Sequence, residues 1–147
     1  MVAADNCPLP NIIPSWGDTL NGKWANVRSY CTPIIRDCVE RHGLDIGLVS
    51  AIIMQESGGN PNAYNPSGAT GLMQVMPDSV IPGRPTISEL LDPEFNIQTG
   101  CNILSAYIKR HNGSVRDGLW AYGGTDGSYA QYADIVLNVY DIVKSAP

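Results

Sequence analysis

Glu56 is the residue of this sequence whose position most strongly suggests chemistry. It follows Val49, Ile52 and Ile53 by seven, four and three residues, so in a helix it extends their apolar stripe. Burial and the unpaired carbonyls of a helix C-terminus both disfavour a negative charge, and both raise the pKa of a carboxyl group. The spacing therefore predicts either a general acid, more active toward mildly acidic pH, or a buried glutamate paired with an arginine.

A short helix must carry Glu56 to this position. Asp45 can cap its start, and Ser57, Gly58 and Gly59 end it. Residues 57–70 are so rich in Gly, Pro, Asn and Ser that they predict a long loop directly after the acid.

The rest of the chain predicts further short helices around one core. Each has a capping residue at its start or an apolar stripe of helical period. The predicted segments are 32–42, 72–80, 86–91, 93–111, 114–122 and 129–143. No segment shows sustained two-residue alternation, so the predicted fold class is mainly α, a compact helical domain with a long loop beside the active-site helix.

Residues 1–30 differ in character from the remainder. They contain Pro8, Pro10 and Pro14 with Trp16 and Trp24, and they show no clear period. We expect an irregular N-terminal arm with little regular structure, packed by its aromatic residues on a domain formed by residues 31–147.

Length and charge exclude several classes of protein. The 147 residues suit one domain, and no run approaches the 18 apolar residues that a membrane span requires. The net charge of −5 and nine scattered Lys and Arg residues argue against a nucleic-acid partner. No metal-ligand cluster or nucleotide fingerprint appears, so no cofactor and no metal are predicted.

The four cysteines lack the spacing of a zinc site. Cys31 and Cys38 cannot bridge within one straight helix, because seven residues separate them by roughly 10 Å. Cys38 and Cys101 lie on apolar stripes, which favours that pair, with Cys7 and Cys31 as the second disulfide. Four buried thiols are the alternative. Disulfides would indicate an oxidising compartment.

Several separated motifs resemble one enzyme family. Residues 56–61 (ESGGNP) and 68–77 (GATGLMQVMP) resemble the signature of the soluble lytic transglycosylases, relatives of goose-type lysozyme. Residues 92–100 and 121–124 (AYGG) resemble the next motifs in the same order, and Tyr140 fits the closing helix. The resemblance covers residues 33 to about 143 and implies a lysozyme-like catalytic domain.

The resemblance also implies an activity. Glu56 is expected to protonate the oxygen between N-acetylmuramic acid and N-acetylglucosamine in peptidoglycan, and then to act as base while the muramyl 6-hydroxyl closes a 1,6-anhydro ring. A hydrolytic goose-type-like lysozyme, acting as an endolysin, is the first alternative. An inactive peptidoglycan-binding module is the second.

A second carboxylate distinguishes the two enzymatic readings. An inverting hydrolase needs one to activate water, yet no Asp or Glu occurs between Ser57 and Val75, which favours transglycosylation. The remaining candidates for a second carboxylate are Asp78, for which a capping or solvated position is the alternative, and Asp126, in the glycine-rich segment after Tyr122.

Other roles follow from the family motifs. Tyr122 is expected to orient Glu56, and Gly123 stands where the family usually has asparagine, which puts one polar contact in doubt. The expected substrate-binding residues, each with an ordinary structural role as its alternative, are Ser57, Met73, Gln74, Tyr122, Tyr64 and Tyr140.

Location and partners follow from this interpretation. The expected partner is the glycan strand of peptidoglycan, and a larger phage or secretion assembly is a further candidate. We expect a monomer in an extracellular or periplasmic location. A signal sequence is not recognisable, so export would use a signal outside this sequence or another route.

Overall fold

The computed structural model describes residues 6–123 and 129–147, and these ranges contain seven helices. The helices are α1 Asp18–Arg28, α2 Pro33–Arg41, α3 Ile46–Ser57, α4 Ile87–Leu90, α5 Pro93–Arg110, α6 Val115–Tyr122 and α7 Tyr129–Ser145. Two isolated bridges, Tyr64 with Thr70 and Thr70 with Val75, are the β-type pairings found in the same ranges. The predicted mainly α fold is confirmed.

Helix α3 lies at the centre of the molecule. All residues from Gly47 to Ile53 are buried, so the helix is covered on every side rather than along one stripe. Helices α7, α1 and α2 pack against it, while α5 packs against α6, α2 and α4. Glu56 therefore lies where a fully buried helix emerges from the core.

The predicted helix starts are correct where a polar side chain provides the cap. The Asp45 carboxylate accepts a hydrogen bond of 2.7 Å from the Gly47 amide. Thr32 caps α2 ahead of Pro33, and Thr86 with Glu89 forms a capping box at α4. In the described part of the chain, no helix combines the length and apolar character of a bilayer span.

The helix predicted over residues 72–80 is wrong. This segment forms turns, and the amides of Thr70 and Val75 each donate to the other's carbonyl instead of to a helical partner. Gly71 and Gln74 have positive φ angles of 78° and 51°, which no right-handed helix accommodates. The loop beside Glu56 is therefore longer than the sequence indicated.

The expectation of little regular structure in residues 1–30 is also wrong, because α1 occupies residues 18–28. Only two residues of this helix, Trp24 and Val27, are buried, and Gly17 offers no side-chain cap at its start. The sequence signals of a helix are therefore weak in this segment. Trp16 packs edge-on against Trp24 at a centroid distance of 5.9 Å. The boundary between an arm and a domain at residue 30 remains a prediction.

One of the two predicted disulfides is present. Cys7 and Cys31 are joined, which links the N-terminal segment to the start of α2. Cys38 and Cys101 are buried free thiols, so their predicted pairing is wrong. Burial in one apolar core does not suffice for a disulfide, because a bridge also requires a matching orientation of the two Cβ atoms. Unpaired thiols pack well in a core as small apolar groups.

Candidate active site

Glu56 lies half-buried in the last turn of α3 and lines a cavity of about 680 Å³, here called the Glu56 cavity. The other lining residues come from the loop after α3, the segment before α4, and helices α6 and α7. They are Gln55, Asn65, Ser67, Ala69, Gln74, Met76, Val80, Ile81, Tyr122, Gly123, Gln131, Tyr132 and Ile135. Among these described residues Glu56 is the only carboxylic acid, and the amides and apolar side chains around it suit a neutral polar ligand with apolar faces, such as a sugar.

Two glycines turn the chain away from Glu56. Gly58 and Gly59 have φ angles of 61° and 84°, in the left-handed region that favours glycine. A Cβ at Gly59 would lie 2.7 Å from the Asn26 Cβ and 2.8 Å from the Val27 backbone nitrogen. The end of α1 therefore packs directly against the turn that ends α3.

Ser57 anchors the loop to α3 rather than facing the cavity. Its hydroxyl lies 2.8 Å from the Leu72 carbonyl and 3.1 Å from the Ile53 carbonyl. It also accepts a hydrogen bond from the Gly59 amide. Of its two expected roles, the structure supports the helix-end hydroxyl.

Asn96 holds the far side of this loop and was not recognised as a site residue from the sequence. Its fully buried amide group accepts from the Met73 amide at 2.8 Å and donates to the carbonyls of Thr70 and Leu90 at 2.9 Å. A Cβ at Gly71 would overlap the Asn96 side chain, so glycine is required at that contact. The loop geometry depends on this one side chain of α5.

Met73 and Gln74 have different positions in the loop. The Met73 side chain is fully buried and packs against Gly100 of α5, and the predicted contact of this residue with substrate stays a prediction. Gln74 lines the Glu56 cavity as predicted, and its Nε2 donates to the carbonyls of Ala63 and Gly71. Its amide oxygen is the group left to accept hydrogen bonds from a ligand.

Tyr122 connects α6 to the loop. Its hydroxyl donates a hydrogen bond of 2.7 Å to the Met73 carbonyl. Burial raises the pKa of Tyr122 well above its ordinary value, and the nearby charge of Glu56 raises it further. The tyrosine is thus a neutral wall of the cavity close to the acid.

Tyr132 of α7 is a site residue that the sequence did not reveal. Its ring stacks on that of Tyr122 at a centroid distance of 6.5 Å. Burial raises the pKa of Tyr132 well above its ordinary value, and the nearby charge of Glu56 raises it further. The buried Tyr132 hydroxyl lies near the Glu56 carboxyl group and has no partner of standard hydrogen-bond geometry in the part of the chain described here.

Tyr132 also explains the glycine that departs from the family motif. A Cβ at Gly123 would overlap the Tyr132 ring. The ring therefore occupies the space that an asparagine side chain at this position would need. Gly123 permits the stacking of Tyr122 and Tyr132 beside Glu56.

The remaining predicted residues lie elsewhere. Tyr140 was expected to flank the groove, and this is wrong, because its hydroxyl donates to Asp45 at the opposite end of α3. Tyr64 is 57% exposed on the loop and does not line the Glu56 cavity, so its contact with substrate stays a prediction. Asp126 lies outside the described residues. The described residues contain no group of three or more His, Cys, Asp or Glu side chains that could hold a metal ion.

The model of the Transglycosylase SLT domain matches residues 34–136. This chain belongs to that family. The motifs around Glu56, Gln74 and Tyr122, which the structure brings to one cavity, all lie within the matched region.

Curated relatives of this transglycosylase-family chain come from bacteria. It is 34% identical over 117 residues to the endo-type membrane-bound lytic murein transglycosylase A of Klebsiella pneumoniae, an alignment that covers 74% of this chain and 58% of the relative. It is 37% identical over 86 residues to the membrane-bound lytic murein transglycosylase E of Buchnera aphidicola, covering 52% and 39%. The chain thus spans little more than half the length of the first of these relatives.

A solved structure supports the predicted architecture. The fold is similar to that of the 70 kDa soluble lytic transglycosylase from Escherichia coli, with a TM-score of 0.63 and 21% identity over 86% of this chain and 29% of that one. The lysozyme-like helical fold predicted for this chain is confirmed.

Proposed function

We propose that this domain cleaves the β-1,4 bond between N-acetylmuramic acid and N-acetylglucosamine in peptidoglycan without adding water. Membership of the transglycosylase family supports this proposal. The observation that carries it is the position of Glu56, a half-buried acid at the wall of a cavity large enough for a sugar residue.

One carboxyl group is sufficient for the reaction. The protonated Glu56 donates its proton to the glycosidic oxygen as the bond to C1 breaks, and the muramyl 2-acetamido group stabilises the positive charge at C1. The resulting carboxylate then accepts the proton of the muramyl 6-hydroxyl while that oxygen bonds to C1. The acid is regenerated, and the product carries a 1,6-anhydro ring.

The surrounding residues support Glu56 in both steps. The Tyr132 hydroxyl lies near Glu56 and is suited to bond the carboxyl group once substrate is present, because catalytic hydrogen bonds commonly tighten only when substrate binds. The amide oxygen of Gln74 is suited to an N–H or hydroxyl donor of the sugar. We assign Tyr64 to the outer part of the groove, and Asp126 to no step of the reaction.

Product analysis tests this proposal against its hydrolytic alternative. Cell walls digested with the protein should release muropeptides that end in anhydromuramic acid and weigh one water less than reducing ones. Reducing ends alone would show a lysozyme-type hydrolase. Binding to walls without any cleavage would show an inactive binding module.

The place of action follows from the same reasoning. We propose that the domain acts as a monomer outside the cytoplasm, in the periplasm or the extracellular space. The Cys7–Cys31 disulfide supports this, since such bridges persist in oxidising compartments. A larger phage or secretion assembly remains a candidate partner.

A further inference from the structure

A second cavity borders the same turn as the Glu56 cavity and is lined by a positively charged side chain, that of Arg84. It has a volume of about 430 Å³ and is here called the Arg84 cleft. Its lining combines the turn at residues 83–85 with the polar side chains of Gln98, Thr99 and Asn102 on α5. The cleft thus presents one positive charge among amide and hydroxyl groups.

Two contacts connect the Arg84 cleft to the Glu56 cavity. Ile81 lines the Glu56 cavity, and its carbonyl accepts a hydrogen bond of 3.3 Å from the amide of Arg84, so a single tight turn borders both. Met73, whose carbonyl holds the Tyr122 hydroxyl, packs against Gly100 in the part of α5 that lines the cleft. The charge of Arg84 also acts on Tyr122, whose pKa it lowers against the effects of burial and Glu56.

The charge of Arg84 has no carboxylate partner in the described structure. The ion pairs found there are Arg41 with Asp37, Arg116 with Asp134, and Lys144 with Asp141. A half-buried guanidinium group in a cleft is well placed to bind an anion, because its planar donors match a carboxylate.

The chemistry of peptidoglycan limits which anion this is. Its sugars are neutral, and the lactyl group of each muramic acid is joined through an amide bond to a short stem peptide, so the free carboxylates lie on that peptide. A strand that places a peptide-bearing muramic acid at Glu56 carries its stem peptide beside that site. The amides of Gln98 and Asn102 are suited to peptide N–H and C=O groups.

We propose that the Arg84 cleft binds the stem peptide of peptidoglycan, with Arg84 contacting a peptide carboxylate. This inference rests on the proposed function and extends it from the glycan to its peptide. The Glu56 cavity performs the cleavage, and the Arg84 cleft makes the enzyme prefer strands whose peptides carry free carboxylates.

The test compares two substrates that differ only in the peptide. Glycan strands of one length are prepared with native stem peptides, or with the peptide carboxylates converted to primary amides. We expect the wild type to cleave the native strands with a kcat/KM about tenfold higher, the effect of one charge-assisted hydrogen bond. Arg84→Gln should lose this preference, and Arg84→Lys should keep part of it.

The control is Arg41→Gln, which removes the same charge from an exposed ion pair on α2 and should retain the full preference. Equal cleavage of both substrates by the wild type, or an unchanged preference in Arg84→Gln, would overturn the inference while leaving the proposed function intact.

A binding measurement decides the inference if neither substrate is cleaved, an outcome that would contradict the proposed function itself. The free stem tetrapeptide is titrated into the protein, and the backbone amide NMR signals are followed. Shifts at residues 98–103 that disappear in Arg84→Gln would support the peptide site, and their absence in the wild type would rule it out.

Discussion

The two ends of helix α3 carry the same pair of chemical groups in different settings. Asp45 precedes the helix and contacts Tyr140, while Glu56 lies in its last turn and contacts Tyr132. Both tyrosines belong to α7, which packs along α3. Eleven residues separate the carboxylates, or roughly 16 Å of helix, so the two pairs are independent sites.

At the Asp45 end the hydrogen bonds are complete. One carboxylate oxygen accepts from the Gly47 amide at 2.7 Å and the other from the Tyr140 hydroxyl at 2.9 Å. The positive end of the helix dipole further stabilises the negative charge. Asp45 also borders a cavity of about 600 Å³, so a cavity alone does not distinguish the two ends.

At the Glu56 end the tyrosines do not hold the acid so firmly. The Tyr122 hydroxyl is directed to the Met73 carbonyl, and the Tyr132 hydroxyl has no partner of standard hydrogen-bond geometry among the described residues. The negative end of the helix dipole disfavours the carboxylate. The two ends therefore differ in their electrostatics: the helix start and the Tyr140 hydroxyl stabilise the charge of Asp45, whereas the helix end disfavours a charge on Glu56 and so suits that residue to proton transfer.

Neutralising each acid should have opposite consequences at the two ends of α3. Glu56→Gln should lower the rate of wall cleavage about a thousandfold, because the amide keeps the shape and cannot transfer a proton. Asp45→Ala should leave cleavage unchanged and lower the free energy of unfolding by about 1 kcal/mol through loss of the cap. Muropeptide release and urea unfolding measure the two effects, and unimpaired lysis by Glu56→Gln would refute its role.

Removing each hydroxyl tests the tyrosines. Tyr132→Phe should reduce kcat about tenfold with little change in stability, since the buried hydroxyl has no standard partner to lose. Tyr140→Phe should lower the free energy of unfolding by about 1 kcal/mol and leave kcat unaltered, because its hydroxyl serves only Asp45. The comparison fails if both variants lose stability and neither loses activity.

A substitution at Gly123 tests the packing of Tyr132 beside Glu56. Gly123→Ala should lower the free energy of unfolding by about 1–3 kcal/mol, because the new Cβ overlaps the Tyr132 ring. Displacing that ring should also reduce activity. Gly22→Ala is the matched control, since no atom lies within 4 Å of a Cβ there, and alanine in the middle of α1 should be neutral or stabilising. Equal effects of both substitutions would contradict the packing argument.

The sequence was most informative where a local signal determines a local structure. Asp45, Thr32 and Thr86 cap helices as predicted, because a short polar side chain satisfies the first amides whatever the rest of the fold does. The apolar stripe that pointed to Glu56 was a weaker indication of a buried face, since α3 is buried on all sides between Gly47 and Ile53.

The roles of the tyrosines depend on packing between helices and could not be read from spacing. Tyr132 and Tyr140 are eight residues apart on α7, so they share one face, and only the direction in which α7 crosses α3 decides which one reaches Glu56. The same limit applies to Ser57 and Met73, whose polar groups bond to carbonyl and amide groups distant in sequence. A glycine at position 123 indicated that a bulky side chain packs against this position, but the sequence did not indicate that the side chain is that of Tyr132.

The pH dependence of stability should change only slightly when the tyrosine at the Asp45 end of α3 is altered. Burial, followed by the hydrogen bond to Asp45, raises the pKa of Tyr140 from 10.0 to about 12. A pKa raised by folding contributes stability that is complete below pH 10 and is lost as the pH rises toward 12. Wild type should therefore unfold in urea more slowly than Tyr140→Phe near neutral pH, and the difference should shrink above pH 10. Unfolding rates are the suitable measurement, because they precede thiol–disulfide exchange in the unfolded chain. A difference that stays constant across this range would mean that the Tyr140 hydroxyl does not stabilise the helix start through Asp45.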